Sequence, residues 1–279
     1  MLLTWNTTSS RVQVRSQRNK QAECIQNSPG LLIVNADDWG RDRQTSDRIA
    51  ECVRSGTVSS VSAMVFMEDS ERAAAMAREQ GIDAGLHLNF TQPFSPAKGS
   101  ALLVDHQRKI ASFLLRGPIS RGVFHPGLVR SFEYVVTAQR EEFVRLYGAE
   151  PQRIDGHHHM HLCANVLWGG LLPPGTLVRR HFSYEPGEKA LRNGVFRLLA
   201  NVLLARRHRV VDFLFSLPPL DPPDRLQRIF ALARHSVVEV ETHPVKSEEY
   251  RYLTGGEIQR AAGDCPIAHG FGRIAELQS

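Results

Sequence analysis

Leu31-Leu32-Ile33-Val34-Asn35-Ala36-Asp37-Asp38-Trp39-Gly40 is an unbroken apolar run that ends on two adjacent carboxylates. A run this short reads as a strand covered on both faces, Leu31–Ala36, the usual condition in a parallel sheet wrapped by helices. The following residues keep that rhythm. Thr45–Arg54 sets Ile49, Cys52 and Val53 on one helical face and stops at Gly56. Thr57–Phe66 is β-branched, with Val58, Val61 and Val65, and reads as a second strand. Ser70–Gln80 is an alanine-rich helix closed by Gly81, and Ile82–Asn89 is a third strand. Strand, helix, strand, helix, strand within residues 31–89 predicts a parallel sheet with crossover helices.

Beyond it, Thr91–Pro126 is broken by Pro93, Pro96, Gly99, Gly117 and Pro118 and reads as a long loop with local helix, lying over the active face. Leu128–Tyr147 has helical spacing, Arg153–Asp155 is a short strand, Leu162–Leu172 is helical and Thr176–Arg180 is another strand. Phe182–Pro223 is a second irregular region, with a helical stretch at Leu191–Arg207 and prolines at 218, 219, 222 and 223. Arg225–Arg234 then reads as helix, Ser236–Glu241 as a strong strand and Gly255–Ala262 as helix. No repeat and no linker divides the chain. The expectation is one α/β domain over residues 30–279, a distorted (β/α) barrel of parallel strands with its active site at their C-terminal ends. Residues 1–29, rich in Ser, Thr, Arg, Gln and Asn, are expected to form a loosely ordered extension.

Composition narrows the function classes. With 279 residues and 42% hydrophobic content, the chain can bury a barrel-sized core. Its formal charge of +5 and pI of about 9.2 invite a nucleic-acid reading. The basic residues are 29 arginines and 5 lysines spread along the whole chain, without an aromatic-interleaved basic stripe, so that reading is set aside. Cys24, Cys52, Cys163 and Cys265 form no CxxC pair, which argues against zinc-knuckle, redox-motif and disulfide scaffolds and for a reducing compartment. No run approaches the roughly 18 apolar residues of a membrane span, and the first residues lack the apolar centre of a secretory signal. A cytoplasmic protein is expected.

In parallel barrels, catalytic groups gather at the carboxyl ends of strands. Four such ends carry Asp37-Asp38, then Gly85-Leu86-His87-Leu88-Asn89, then Ile154-Asp155-Gly156-His157-His158-His159-Met160-His161, and Val237-Val238-Glu239-Val240-Glu241-Thr242-His243-Pro244. Imidazole with carboxylate suits Zn, Mn, Fe, Ni or Co, whereas Mg usually takes oxygen ligands, and three protein ligands leave positions open for water and substrate. Two neighbouring aspartates leave a strand end in different directions, so one can ligate while the other acts as a general base. An acidic pair alone is more often a helix cap; three histidine-bearing strand ends in the same chain reverse that preference. In the histidine run, an extended backbone puts His157, His159 and His161 on one face, whereas a helical one pairs His157 with His161. His157 is productive either way. Pro244 holds His243 extended, where it is a candidate general acid or a structural residue at a strand terminus.

On the motifs Ile33–Gly40, Gly85–Asn89, Ile154–His161 and Glu241–Pro244, in that order, the chain resembles the YdjC-like carbohydrate deacetylases, relatives of chitooligosaccharide deacetylase and of the hopanoid-associated deacetylase-like proteins. The likeness spans about residues 31–250. It implies a distorted barrel that removes an N-acetyl group from an amino sugar with one divalent metal, Mg or Zn first and Mn, Co or Ni behind. Carried over by position, Asp38, His87 and His157 would be ligands, Asp37 the base, and His243 the acid that protonates the departing amine. Arg179 falls where the family often has an arginine and is expected to orient Asp37 or the substrate. Asn89, Asp155, His159 and His161 are expected to bind substrate or to support the ligands. The partner would be an N-acetylated sugar, without nucleic acid or membrane span, on a homodimer. Trp39 departs from the family's usual Phe, and Phe182–Pro223 has no counterpart; with Thr91–Pro126 it is expected to shape the sugar pocket. Two rivals stand beside this reading. A metal-dependent phosphoesterase would need more ligand groups than the sequence offers, and a non-catalytic, metal-dependent sugar-binding protein has no evident reason to retain Asp37, Asp38 and His243.

Overall fold

The computed structural model describes residues 30–183 and 200–272. The expected extension at 1–29 and most of the helical stretch Leu191–Arg207 lie outside them. Seven parallel strands form one sheet in the order β5-β4-β3-β2-β1-β7-β6: β1 Leu31–Trp39, β2 Ser60–Ala63, β3 Ala84–Leu88, β4 Arg153–Gly156, β5 Leu177–Val178, β6 Phe213–Ser216 and β7 Val237–Thr242. The sheet curls until its edges meet. Arg209 exchanges backbone bonds with β5, its amide reaching the Thr176 carbonyl at 3.1 Å while the Val178 amide reaches the Arg209 carbonyl at 2.9 Å. A few residues on, the same segment becomes β6 and pairs with β7. Ser183, just past β5, adds a bond from its amide to the Leu214 carbonyl at 2.7 Å. The result is the distorted (β/α) barrel expected from the sequence.

Each strand divides its side chains between two cores. Leu32, Val34 and Ala36 of β1, Val61 and Ala63 of β2, Leu86 and Leu88 of β3, and Val238 and Val240 of β7 point outward, into the large apolar core under the helices. The alternate residues point into the barrel. At its amino-terminal end these form a small apolar layer of Leu31, Ile33, Leu177, Val211, Val237 and Phe271. Above it the lining turns polar: Asn35, Ser60 and Ser62, Arg153 and Asp155, Arg179, and Glu239 are all buried. Gly85 is glycine because Arg153 crosses there; a Cβ at Gly85 would stand 2.8 Å from the Arg153 guanidinium carbon. The segment after the last helix closes the floor. Ile267 bridges to Leu32, and the Phe271 ring packs 4.1 Å beneath that same guanidinium.

Three readings need correction. Thr91–Pro126, read as a long loop with local helix, holds more helix than that: Ala101–Leu114, capped by Ser100, whose Oγ accepts the Leu103 amide at 3.2 Å, and Pro118–Gly122. Phe182–Pro223 contains β6, the closing strand, whose four residues are too few to show a period. The helix Ser247–Thr254 was not anticipated. Boundaries elsewhere shift by a few residues, and Ser70–Gln80 agrees at both ends.

Phe271→Ala removes the floor of the barrel and the ring under Arg153, so it should destabilise the protein by about 3 kcal/mol. Urea unfolding would measure it.

A candidate active site at the carboxyl ends of the strands

β1 reaches past its expected end because of a bulge. Ala36 pairs with Val61 and Trp39 with Ala63, so three steps on β1 face two on β2. The extra residue is absorbed at Asp38, whose φ of 70° is left-handed, a conformation Asp tolerates better than most residues. The bulge sends the two carboxylates apart. Asp37 turns into the barrel, where Arg179 Nη1 and Nη2 donate to its two oxygens at 2.7 and 2.8 Å and Asn35 Nδ2 donates at 2.9 Å. Asp38 turns across the rim, with Oδ1 2.9 Å from His157 Nδ1 and 3.5 Å from His87 Nε2. Arg41 holds its other oxygen at 2.6 Å.

Asp38, His87 and His157 thus offer three donor atoms within 4.8 Å of one another. Metal bonds of about 2.1 Å set ligand atoms roughly 3–3.5 Å apart, so the set is of the right size for one divalent cation. His87 is also aimed from behind. Its Nδ1 meets Asp155 Oδ1 at 2.7 Å, which leaves Nε2 facing the cluster. Burial alone would lower the proton affinity of His87, but Asp37, Asp155 and Asp38 together push its pKa up to about 10. Burial likewise opposes charge on Asp38, and hydrogen bonds from His157 and His87 overcome it, holding the carboxyl well below its ordinary range.

Neither regular geometry expected for the histidine run is present. The segment His157–Leu162 is a 3₁₀ turn broken by left-handed His158 and His159, with φ of 55° and 56°. The four imidazoles therefore part company. His157 faces Asp38, and His158 points outward to the Thr91 hydroxyl at 3.2 Å. His159 Nε2 lies 3.0 Å from Glu241 Oε2. His161 is fully buried and its Nε2 donates to the Arg179 carbonyl at 2.9 Å. Burial drives the His161 pKa down to about 3, so it is a neutral strut under β5. Asn89 serves the loop after β3: its Oδ1 accepts the Thr91 and Gln92 amides and its Nδ2 donates to the Gln92 carbonyl.

His243 stands on the far side of the mouth, partly exposed, with Nε2 3.9 Å from Glu241 Oε1. Glu249 accepts the His243 amide at 2.7 Å and the Thr242 hydroxyl at 2.8 Å, which fixes the turn that presents the ring. Glu241 is a site residue that the reading of motifs passed over, together with Glu239, Arg153 and Arg41. The signal was available in Val237–Thr242, where Glu239 and Glu241 alternate with valines in a strand buried throughout. Charged residues at that spacing share one face, and here it is the face lining the barrel.

A family model described as YdjC-like protein matches residues 31–262. Among curated proteins, the chain is 34% identical over 145 residues to a chitooligosaccharide deacetylase of Proteus mirabilis, covering 49% of this chain and 52% of the relative. It is 34% identical over 140 residues to a carbohydrate deacetylase of Mus musculus, covering 48% and 44%. The chain spans about half the length of the curated relatives it matches. Among solved structures, a "putative cellobiose-phosphate cleavage protein" from Enterococcus faecalis V583 superposes with a TM-score of 0.58 at 18% identity, over 86% of this chain and 97% of that one. That likeness is one of fold.

The buried His161 has a consequence for pH. Between about 6.5 and 3 the unfolded chain takes up a proton at this position that the folded protein refuses, so the contribution of His161 falls as pH falls. His161→Gln can still donate to the Arg179 carbonyl but does not titrate. It should be less stable than the wild type at pH 7.5, and the gap should narrow by about 2 kcal/mol at pH 5, measured by urea unfolding at both values.

Proposed function

The chain belongs to the YdjC-like protein family, and from that premise we propose that it is a metal-dependent carbohydrate deacetylase acting on an N-acetylated amino sugar. The observation that carries the reading is the opposed orientation of Asp37 and Asp38. One aspartate sits with two imidazoles at the size of a metal site; its neighbour is held outside that set by a guanidinium.

Asp38, His87 and His157 are the residues that would hold the cation, with Zn, Mn, Ni or Co best matched to one carboxylate and two imidazoles and Mg less so. Bound there, a divalent metal supplies a Lewis acid that acidifies water and polarises the acetyl oxygen. Asp37 takes the proton of the attacking water, its two oxygens held in orientation by Arg179 and Asn35. His243, on the opposite side of the mouth, gives a proton to the sugar nitrogen as the carbon–nitrogen bond breaks, and acetate and the free amine leave. Glu241 lies between His243 and His159 and orients both rings on the substrate side. Asp155 works through His87 rather than on substrate.

A phosphoesterase with a cluster of metals has one observation in its favour, since Asp37, Glu241 and His243 also lie close enough together to hold a cation. Arg179 weighs against it. Its Nη1 already contacts Asp37 Oδ2 at 2.7 Å and Glu241 Oε2 at 3.2 Å, so a second cation between those carboxylates would face a buried positive charge. A protein that binds sugar without turnover would have no use for an aspartate held beside the ligands.

The tests separate ligand from base. Asp37→Asn should retain bound metal and lose about 10²–10⁴-fold in turnover, whereas His157→Ala should lose metal and activity together. Elemental analysis of the purified variants, with acetate release from chitooligosaccharides assayed beside phosphate release from phosphoesters, reads both. Turnover within a few-fold of wild type in Asp37→Asn would remove Asp37 as the base.

A further inference from the structure

One wall of the mouth carries a surface unlike the rest. The helix Ala101–Leu114 buries Leu103, Ile110, Phe113 and Leu114. The chain just beyond it presents apolar side chains to water: Leu115 is 57% exposed, Ile119 81% and Val123 49%. Trp168, 70% exposed, joins this crest through Phe124, with the two rings stacked 6.4 Å between centroids. None of these side chains supports the core, and their grouping on one ridge exceeds the scatter of single apolar residues normal on a surface.

The charge around the crest is equally lopsided. Residues 106–132 contain Arg108, Lys109, Arg116, Arg121 and Arg130 and no carboxylate, a local +5 equal to the formal charge of the whole chain. Asp105, at the edge of the stretch, answers Arg108 and Lys109. Arg116 and Arg121 are exposed, flank Ile119 in sequence, and have no carboxylate partner among the described residues. The crest also borders the candidate site. The helix Ala164–Trp168, which carries Trp168, follows directly on the turn His157–Leu162, and Gln107 of the helix Ala101–Leu114 donates to the Gln92 carbonyl in the loop after β3 at 2.8 Å.

We propose that this crest docks the protein on an anionic lipid bilayer, with Leu115, Ile119 and Trp168 in the headgroup–acyl boundary and Arg116 and Arg121 against lipid phosphates. A polyanion such as nucleic acid would use the arginines but leave Ile119 and Leu115 in water. An apolar protein partner would cover the aliphatics and bury two arginines without counter-ions. An anionic bilayer accepts both at once, since it offers hydrocarbon directly beneath a layer of phosphates and favours an indole where the two meet. Docked in this way, the mouth lies beside the membrane surface. The proposal is independent of the deacetylase reading, because binding is measured without turnover.

The test is co-sedimentation of the full chain with vesicles of phosphatidylcholine alone and of phosphatidylcholine with one-third phosphatidylglycerol. The wild type should bind the mixed vesicles and not the neutral ones. Ile119→Ser with Trp168→Ser, and separately Arg116→Glu with Arg121→Glu, should each weaken binding by about tenfold or more. Circular dichroism and thermal unfolding should stay as in wild type, since every altered side chain is exposed. The proposal is overturned if the wild type leaves the mixed vesicles unbound, or if it binds neutral vesicles equally well. Undiminished binding by either double variant also overturns it. So does an Ile119-dependent dimer in sedimentation velocity, which would assign the crest to a second copy of the chain.

Discussion

The guanidinium of Arg179, with Arg153 beside Asp155, balances the negative charge inside this barrel. Arg179, fully buried, reaches Asp37 on β1, Asp155 on β4 and both Glu239 and Glu241 on β7. Four carboxylates enclosed together without a counter-ion would repel one another and lose their hydration, a cost of several kcal/mol for each ion. The planar fork of arginine has donors enough to face all of them from one position, which a lysine's point charge could not do. These contacts come from strands on opposite sides of the barrel, so the same cation that makes the interior tolerable also holds its walls together. Burial opposes its charge, but the surrounding carboxylates raise its pKa well above the ordinary range and keep it charged.

This changes what the fold is built around. Barrels of this class usually fill their interior with branched aliphatic side chains. Here, among the described residues, the apolar cluster in the interior is the small layer from Leu31 to Phe271, and the main hydrophobic core lies outside the strands under the helices. The polar interior then leads without a break to the rim. Arg153, Asp155 and His87 form a line of contacts ending at the donor atoms beside Asp38. Structure and candidate chemistry share these groups, so the supporting residues matter as much as those at the mouth.

How far the sequence could be read follows from the same division. Asp37 and Asp38 close a long apolar run, and His87 and His157 stand in histidine-bearing motifs at the ends of shorter strands, where a parallel barrel exposes its side chains. The outward halves of β1 and β7 were conspicuous for the same reason. What escaped had no such flag. β6 is four residues in a proline-rich surround, and its pairing depends on β5 and β7 rather than on its own pattern. The Ser100 cap was overlooked because prolines and glycines on either side dominated the reading of that region. The histidine run could not be resolved by periodicity, since the left-handed turn at His158 and His159 belongs to neither template.

The pairing of β1 has an implication for assembly. One edge of this strand is satisfied early by β2, but the other is matched, from Leu31 against Val237 to Ala36 against Thr242, only by a partner about two hundred residues later. During synthesis the first strand therefore waits with a bare backbone edge until β7 emerges. Contacts so distant are slow to form, and an unmatched hydrophobic strand is a ready template for a neighbouring chain. The acid pair at its tip becomes a formed site only at the end of that wait.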